Sequence, residues 1–197
     1  MTTYAPSAAD AFVARLADSP CCPAIVAGGQ FDDALLSPAG IIFLLRGNGL
    51  ELAEVVQRTH DAGKLLAVHL DLVDGLRADH WGVAWLARSG VDAIITSHGQ
   101  LMSVIRQEGA TAIHRLLLSR RGHLDTAVGA LLRSRPDIVE ILPGAILPAV
   151  IDLLPPLEVP LLAGGFVRTE ADARAVLAAG AVGITTSSTA LWSFRGR

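Results

Sequence analysis

Eight short apolar runs, separated by amphipathic stretches of helical length, constrain the fold of this chain more than any other feature of its sequence. Successive runs begin roughly 20 residues apart, which leaves room for one strand, one helix and their loops in each unit. The runs are predicted to be strands at 24–27, 41–46, 65–71, 93–97, 112–118, 137–142, 160–164 and 181–186. Helices are predicted between them at 50–61, 79–88, 100–107, 125–133 and 169–178. This βα repeat indicates a parallel sheet whose strands are joined by helical crossovers.

The number of units and the chain length together favour a closed barrel. Eight βα units in 197 residues predict an α/β fold, a single-domain (β/α)8 TIM-like barrel close to the lower size limit of about 200 residues. A doubly wound open sheet is the alternative architecture, and it is less economical for eight evenly spaced strands. Residues 1–22 are predicted to form an N-terminal lead-in helix, and residues 23–197 the barrel.

Composition and charge exclude several classes of protein. With 51% hydrophobic and 18% charged residues, the chain is too apolar to be disordered. The formal net charge is −3, whereas a typical nucleic-acid binder is strongly basic, so any site for a polyanion must be local.

The adjacent Cys21 and Cys22, placed ahead of the first strand, are not expected to form a disulfide framework. Because no secretory signal or apolar run of ~20 residues occurs, a cytoplasmic protein without a membrane partner is predicted.

The chain has a single lysine among its 16 basic residues. This residue, Lys64, directly precedes the third predicted strand, at the end of the barrel that is remote from the usual ligand site. Schiff-base catalysis needs a lysine amine at the reacting centre. The sequence therefore argues against an aldolase or lyase of that class, and it assigns no catalytic residue.

Small and hydroxyl-bearing residues follow the last two predicted strands. Gly164 and Gly165 end the seventh strand, and Thr186 and Ser187 end the eighth. Glycines let backbone N–H groups approach an anion, hydroxyls add donors, and a following helix N-terminus adds positive potential. Because these two loops are a frequent phosphate site in barrels, the four residues are predicted to bind a phosphate. A tight turn and an ordinary helix cap are the alternative interpretation.

Ionisable residues at other strand ends predict a second part of the same site. His69 and Asp71 lie two residues apart in the third strand, so both side chains are expected on one side of it. A clamp for ligand hydroxyls is preferred for this pair over an acid/base pair, two metal ligands or a pair that only shapes the mouth; no metal is assigned. Glu140, inside an apolar strand, needs a cation or a ligand hydroxyl, and Arg115 is a ready partner. Arg46, at the end of the second strand, and His98, just past the fourth, complete the predicted ring of polar residues.

An ordered set of motifs resembles a known protein family over nearly the whole chain, from about residue 23 to Trp192. The motifs are FLL at 43–45, AGK at 62–64, VHLDLVDGL at 68–76, EILPG at 140–144, AGG at 163–165, TTSS at 185–188 and LW at 191–192. The chain resembles the glycerol-3-phosphate responsive antiterminators. The resemblance implies a non-catalytic regulator whose phosphate-binding barrel senses glycerol 3-phosphate, without a cofactor, and acts on the leader mRNA of glycerol metabolism genes.

Carried over by position, the resemblance implies that Gly164, Gly165, Ser187 and Thr186 hold the phosphate. It likewise implies that His69, Asp71 and Glu140 lie near the glycerol hydroxyls, with Arg115 as a basic position of the fifth strand. A second copy of the chain, in a homo-oligomer, is a further candidate partner. The alternatives are an enzyme that uses acid/base chemistry on a sugar or polyol phosphate, and a small-molecule sensor whose partner is a protein.

Two positions depart from the family pattern in charge. Residues 27–29 are Ala-Gly-Gly where the family usually has a basic residue, and His98 stands where Lys or Arg is common. Arg46 is expected to replace part of this lost charge.

Clustered basic residues are the sequence's only candidates for RNA contact. The clusters are Arg120 with Arg121, and Arg133 with Arg135. Solvated surface arginines are the alternative interpretation. With only 5% aromatic residues, no stacking platform for single-stranded bases is predicted.

Overall fold

The computed structural model of the chain describes residues 7–26, 29–118 and 124–196. The strands are β1 (Cys21–Val26), β2 (Ile41–Asn48), β3 (Leu65–His69), β4 (Val73–Asp74), β5 (Ala93–Thr96), β6 (Thr111–Leu117), β7 (Ile138–Leu142), β8 (Leu161–Gly164) and β9 (Gly183–Thr186). The helices are α1 (Ala8–Asp18), α2 (Phe31–Leu36), α3 (Leu52–Asp61), α4 (His80–Arg88), α5 (Met102–Gln107), α6 (Leu124–Ser134), α7 (Leu147–Val150) and α8 (Glu170–Ala178).

Eight of the strands form a closed parallel barrel, and the short β4 pairs only with the end of β2. Neighbours around the barrel follow the order β1, β2, β3, β5, β6, β7, β8, β9. Because β1 pairs with both β2 and β9, the barrel strands make a complete ring. This closure confirms the predicted single-domain (β/α)8 TIM-like barrel and excludes the doubly wound open sheet.

Two strand boundaries differ from the sequence prediction in ways that matter for the site. Strand β1 begins at Cys21, inside the segment 1–22 that was predicted as lead-in, so the prediction that Cys21 and Cys22 precede the strand is wrong. Both cysteines are buried, and burial raises the pKa of each thiol. Strand β3 ends at His69, and Asp71 lies in the 3-10 turn Leu70–Leu72 that follows it.

The lower part of the barrel interior is apolar. Side chains of successive strands meet there because strand residues alternate between the two faces of a sheet. This core contains Cys22, Ala24, Ile41, Phe43, Ala67, Ala93, Ile95, Ile113, Ile138 and Leu162. Helix α1 closes the lower end with Phe12 and Leu16, which are almost fully buried in the same core. The ring of Phe12 meets Phe43 edge-on at 6.1 Å.

Helices cover the outside of the barrel with their apolar faces. Outward residues of β2, β3 and β5 pack with residues of α3, α4 and α5 in one core, and those of β7, β8 and β9 pack with α6 and α8 in another. Two helix starts have a full capping box, Ser7 with Asp10 and Thr169 with Asp172. Within the described ranges, none of the helices has the length and apolar character that a membrane crossing needs.

We expect helix α1 to stabilise the barrel mainly through the buried side chain of Phe12. We expect Phe12→Ala to lower the free energy of unfolding by about 3–5 kcal/mol, because it removes a large buried ring and leaves a cavity against Phe43. Leu36→Ala is the matched control, since Leu36 is 86% exposed and its loss should change stability by less than about 0.5 kcal/mol. Urea denaturation followed by circular dichroism measures both; equal effects would show that α1 does not seal the barrel.

Candidate functional site

The upper layer of the barrel interior is polar, in contrast to the apolar layer beneath it. Side chains two positions apart in a strand point to the same side. On each strand, the residue two positions after a residue of the apolar core therefore also faces the barrel interior. On five strands these residues are His69, Arg115, Glu140, Gly164 and Thr185. The strand register places Arg115 beside Glu140, and Gly164 beside Thr185. Most of the residues that the sequence predicted for the site therefore come together at the carboxyl end of the barrel.

A buried ion pair holds the centre of this layer. Glu140 is fully buried, and its Oε2 accepts a hydrogen bond of 2.6 Å from Nε of Arg115. The other oxygen, Oε1, accepts a 2.6 Å hydrogen bond from the hydroxyl of Thr185. Both carboxylate oxygens thus have partners, which offsets the cost of burying the charge. The sequence predicted Arg115 as the partner of Glu140, and the structure places the two groups in direct contact.

His69 continues the network from Arg115 across the barrel. Nη1 of Arg115 lies 3.3 Å from Nδ1 of His69, and because a guanidinium only donates, Nδ1 must be the acceptor. This contact assigns the neutral tautomer of His69, with its proton on Nε2. His69 is 5% exposed, and within the described ranges its Nε2 has no hydrogen-bond partner. Oδ2 of Asp71 lies 3.6 Å from this Nε2, which is too far for a hydrogen bond.

Asp71 is held by donors from the end of β5. Thr96 donates its hydroxyl to Oδ1, and Ser97 donates both its backbone N–H, at 2.9 Å, and its hydroxyl to Oδ2. Nδ1 of His98 lies 3.5 Å from Oδ1. Burial raises the pKa of Asp71, but the neighbouring His69 ring and the donors of Ser97 and Thr96 together bring it well below its ordinary value. Asp71 is therefore a stable carboxylate at the rim of the mouth.

A cavity of about 450 Å³ opens above this layer, between the loops that follow β8 and β9. Arg115 reaches it from below, and its other lining residues include Gly164, Gly165, Arg168, Thr185, Thr186, Ser187 and Ser188. Glycine is required at Gly164, because a Cβ there would lie 2.4 Å from Oγ1 of Thr185 and 2.8 Å from Oε1 of Glu140. Gly165 has a positive φ of 82°, which lets the loop turn over the end of the strand.

The hydroxyl of Thr186 joins the two loops of this cavity. It donates to the carbonyl of Val167 at 2.8 Å and accepts from the backbone N–H of Ser188 at 3.1 Å. The carbonyl of Thr186 in turn accepts from Nε1 of the buried Trp192, at 2.9 Å. Thr186 therefore fixes the shape of the cavity, while Ser187 is exposed beside it.

The structure separates two groups of predicted residues from the cavity. His69, Asp71 and Glu140 do not line it; they lie in or beside the polar layer from which Arg115 reaches it. Arg46 is exposed at the end of β2, does not line the cavity and has no hydrogen bond or ion pair with the described residues. Arg168 lines the cavity together with Arg115, and it was not among the residues predicted from the sequence.

Arg168 and Thr185 could have been found from sequence position. Arg168 lies in the loop that begins with Gly164 and Gly165, and Thr185 directly precedes the predicted Thr186. The Arg168 guanidinium lies 5.7 Å from the centre of the Phe166 ring, which positions it over the loop. Within the described ranges, no three His, Cys, Asp or Glu side chains are grouped so that they could hold a metal ion.

Lys64 lies at the opposite end of the barrel from this cavity. It precedes β3, its side chain is largely buried, and its Nζ donates to the carbonyls of Ser37, at 2.6 Å, and Ala39. Burial lowers the pKa of Lys64, and the nearby Cys22 acts in the opposite direction. The mouth of the barrel therefore has no lysine nucleophile, as the sequence predicted.

The chain matches a family described as glycerol-3-phosphate responsive antiterminator over residues 21–192. It is 30% identical over 180 residues to the uncharacterized protein YgcP of Escherichia coli K12. The aligned region covers 90% of this chain and 94% of YgcP.

Solved structures of two antiterminator proteins are similar to this fold. The glycerol uptake operon antiterminator regulatory protein of Listeria monocytogenes has a TM-score of 0.80 and 28% identity, covering 87% of this chain and 94% of its own. A glycerol uptake operon antiterminator-related protein of Thermotoga maritima has a TM-score of 0.79 and 27% identity, covering 88% and 98%. Deoxyribose phosphate aldolase of Aeropyrum pernix, at a TM-score of 0.69 and 16% identity over 93% and 89% of the two chains, shares the fold alone.

The hydrogen bonds to Asp71 predict a specific pH dependence of stability. We expect Asp71→Asn to lower the free energy of unfolding by about 1.5–3 kcal/mol near pH 7, since the charged acceptor is lost. The pKa of Asp71 is lower in the folded state than in the unfolded state, so its contribution is complete above about pH 4 and declines as the pH falls further. The difference between wild type and variant should therefore shrink below about pH 4.

Urea denaturation over a pH series measures this difference. Asp33→Asn is the control because Asp33 is exposed, and its effect should stay within about 0.5 kcal/mol. A wild-type advantage over Asp71→Asn that persists undiminished to pH 3 would contradict the assignment.

Proposed function

The chain belongs to the glycerol-3-phosphate responsive antiterminator family, and from this membership we propose that it is a glycerol-3-phosphate-responsive regulator of transcription. In this proposal the barrel mouth binds the ligand, and the protein acts on the leader mRNA of glycerol metabolism genes as an antiterminator. Such a regulator works in the cytoplasm, where both the metabolite and the nascent transcript occur. The observation that carries the ligand proposal is the cavity that brings two arginines together with the glycine and hydroxyl loops.

The phosphate group is proposed to lie between Arg168 and Arg115. Arg115 and Arg168 both line the cavity. Charge-assisted hydrogen bonds to a phosphate are roughly twice as strong as neutral ones, and a guanidinium can donate two in parallel. Gly165 and Ser187 complete the proposed phosphate site with a closely approaching backbone and a hydroxyl. Arg168 thereby replaces the charge that was expected from Arg46.

The glycerol end of the ligand is proposed to point towards His69. Its Nε2–H is a buried donor that lacks a hydrogen-bond partner within the described ranges, and leaving such a group unsatisfied is costly. A ligand hydroxyl can accept this hydrogen and donate to Asp71, which stays charged. Glu140 has both oxygens occupied, so in this proposal it orients Arg115 and does not contact the ligand itself.

We propose a regulator without catalytic residues. The similarity to aldolases concerns the fold alone, and the chain's lysine lies at the far end of the barrel. His69 and Asp71 are suited to hydroxyl binding as a neutral donor and a fixed carboxylate. An acid/base enzyme remains the alternative, and a turnover assay on the calorimetry sample would identify it.

Calorimetry with glycerol 3-phosphate and with glycerol tests the ligand assignment. We expect glycerol 3-phosphate to bind and glycerol to bind at least about tenfold more weakly, because only the phosphate engages the arginines. Arg168→Gln should weaken glycerol 3-phosphate binding by roughly tenfold or more, whereas the exposed Arg46→Gln should change it less than about twofold. Equal affinities for the two ligands, or equal effects of the two variants, would contradict the phosphate site.

A titration with leader RNA tests the regulatory assignment. We expect the protein to bind a terminator-bearing leader of a glycerol gene with an affinity that depends on glycerol 3-phosphate and falls as salt rises, since phosphate contacts release counterions. Fluorescence anisotropy at several salt concentrations measures this, with a scrambled RNA of the same length as control. Failure to bind the leader in the presence and absence of ligand would overturn the antiterminator proposal.

A further inference from the structure

Helix α4 presents two tryptophans to solvent on one face. Trp81 is 70% exposed and Trp85 is 40% exposed, whereas the third tryptophan of the chain, Trp192, is buried and hydrogen-bonded. Residues four apart lie on the same side of a helix, so the two indoles are neighbours separated by a rise of about 6 Å. The opposite side of α4, including Val83 and Leu86, is buried against the barrel. Exposed aromatic rings in such an arrangement mark an interaction surface.

Basic residues stand at both ends of this aromatic pair. Arg88 lies three positions after Trp85 on the same face, and Arg77 precedes the helix beside its N-cap Asp79. Their side chains are 74% and 91% exposed. Each is near one carboxylate, Arg88 at 3.6 Å from Glu108 and Arg77 at 3.7 Å from Asp79, and such long, exposed pairs are weak. Both guanidiniums therefore keep donors for an external anion.

We propose that this face of α4, formed by Arg77, Trp81, Trp85 and Arg88, binds single-stranded RNA. The indoles offer stacking platforms for two bases, and the flanking arginines are placed for the adjoining phosphates. The two exposed arginines supply the local positive charge that a phosphate backbone requires, and together with the proposed action on mRNA they favour a nucleic acid as the occupant. The proposal rests on the proposed action on mRNA and specifies which surface carries it. It also replaces the prediction that the chain lacks a stacking platform.

His80 adds to the platform at its N-terminal end. Its ring lies 4.6 Å from that of Trp81, at an interplanar angle of 43°. The two backbone N–H groups at Trp81 and Gly82 donate to Asp79 at 3.0 Å each, which caps the helix below the rings. The tryptophan backbone is therefore held in place before any RNA arrives, which reduces the entropy cost of binding.

The buried side of α4 contacts the segment that carries Asp71. A Cβ at Gly82 would lie 2.0 Å from the carbonyl oxygen of Arg77 and 3.1 Å from the side chain of Leu70. Leu70 is buried directly beside Asp71 in the 3-10 turn. The segment that presents Asp71 to the ligand thus packs against the first turn of α4. This contact gives ligand binding a direct route to the proposed RNA surface.

Substitution of the tryptophans tests the proposal. The probe is a short polyuridine oligonucleotide, which is single-stranded, and its binding is followed by anisotropy and by quenching of tryptophan fluorescence. We expect Trp81→Ala and Trp85→Ala each to weaken binding by about tenfold, because one stacked base is lost in each. Arg77→Gln and Arg88→Gln should each reduce the slope of log affinity against log salt by about 0.7. A duplex RNA of the same length should bind more weakly than the single strand.

Two matched controls separate α4 from other surfaces. Leu36→Ala removes an apolar side chain that is 86% exposed, and Arg133→Gln removes an arginine of one of the two basic clusters predicted from the sequence; both should leave binding unchanged within about twofold. Circular dichroism and glycerol 3-phosphate calorimetry on each variant show that fold and ligand site are intact.

The outcomes distinguish this inference from the function on which it rests. If wild type binds the leader RNA and the Trp81→Ala/Trp85→Ala double variant binds it equally well, the α4 surface is wrong while the antiterminator function stands. If wild type binds neither polyuridine nor leader RNA, both fail. A double variant that changes the oligomeric state in light scattering but retains its RNA affinity would show that α4 is a protein interface and overturn the proposal.

Discussion

The buried ion pair between Arg115 and Glu140 is the interaction on which the mouth of the barrel depends. A fully buried carboxylate would cost several kcal/mol without partners, and here Arg115 and Thr185 occupy both of its oxygens. The strand register sets the two charges side by side, so the contact follows from closing the barrel. Once Nε of Arg115 is fixed by Glu140, its Nη1 reaches across to His69 and orients that ring. One pair thus determines the positions of groups on four strands.

The sequence predicted much of this arrangement because alternation in strands is a local property. The spacing of two residues predicted one side of the strand for His69 and Asp71, and the carboxylate of Glu140 inside an apolar strand predicted Arg115 as its partner. The loop proposed to bind phosphate was likewise visible in the sequence, as Gly164 and Gly165 at a strand end. The eight-unit repeat was enough to identify the closed barrel, which the pairing of β1 with both of its neighbours confirms.

What the sequence missed depended on contacts between distant segments. The family resemblance implied that Glu140 lies near the ligand hydroxyls, but the hydroxyl of Thr185, 45 residues later, was not foreseen as its second partner. Arg46 was chosen for its position at a strand end, yet its side chain is exposed to solvent. The low aromatic content of the chain did not indicate that Trp81 and Trp85 are exposed, because composition gives the number of aromatic rings and not where they lie. Arg120 and Arg121, the other predicted basic cluster, lie outside the described residues.

The loop between β3 and α4 joins the ligand site proposed at the barrel mouth to the surface proposed for RNA. A ligand shifts a conformational equilibrium only by the difference between its affinities for the two states, so the contacts that change with ligand must touch the element that moves. Asp71 lies in this loop, and its neighbour Leu70 packs beneath the first turn of α4, with its side chain 3.1 Å from where a Cβ on Gly82 would lie. So close a fit transmits a small displacement instead of absorbing it. A ligand hydroxyl in the position proposed for it, between His69 and Asp71, would therefore act on a loop that packs against the first turn of α4, where Trp81 stands.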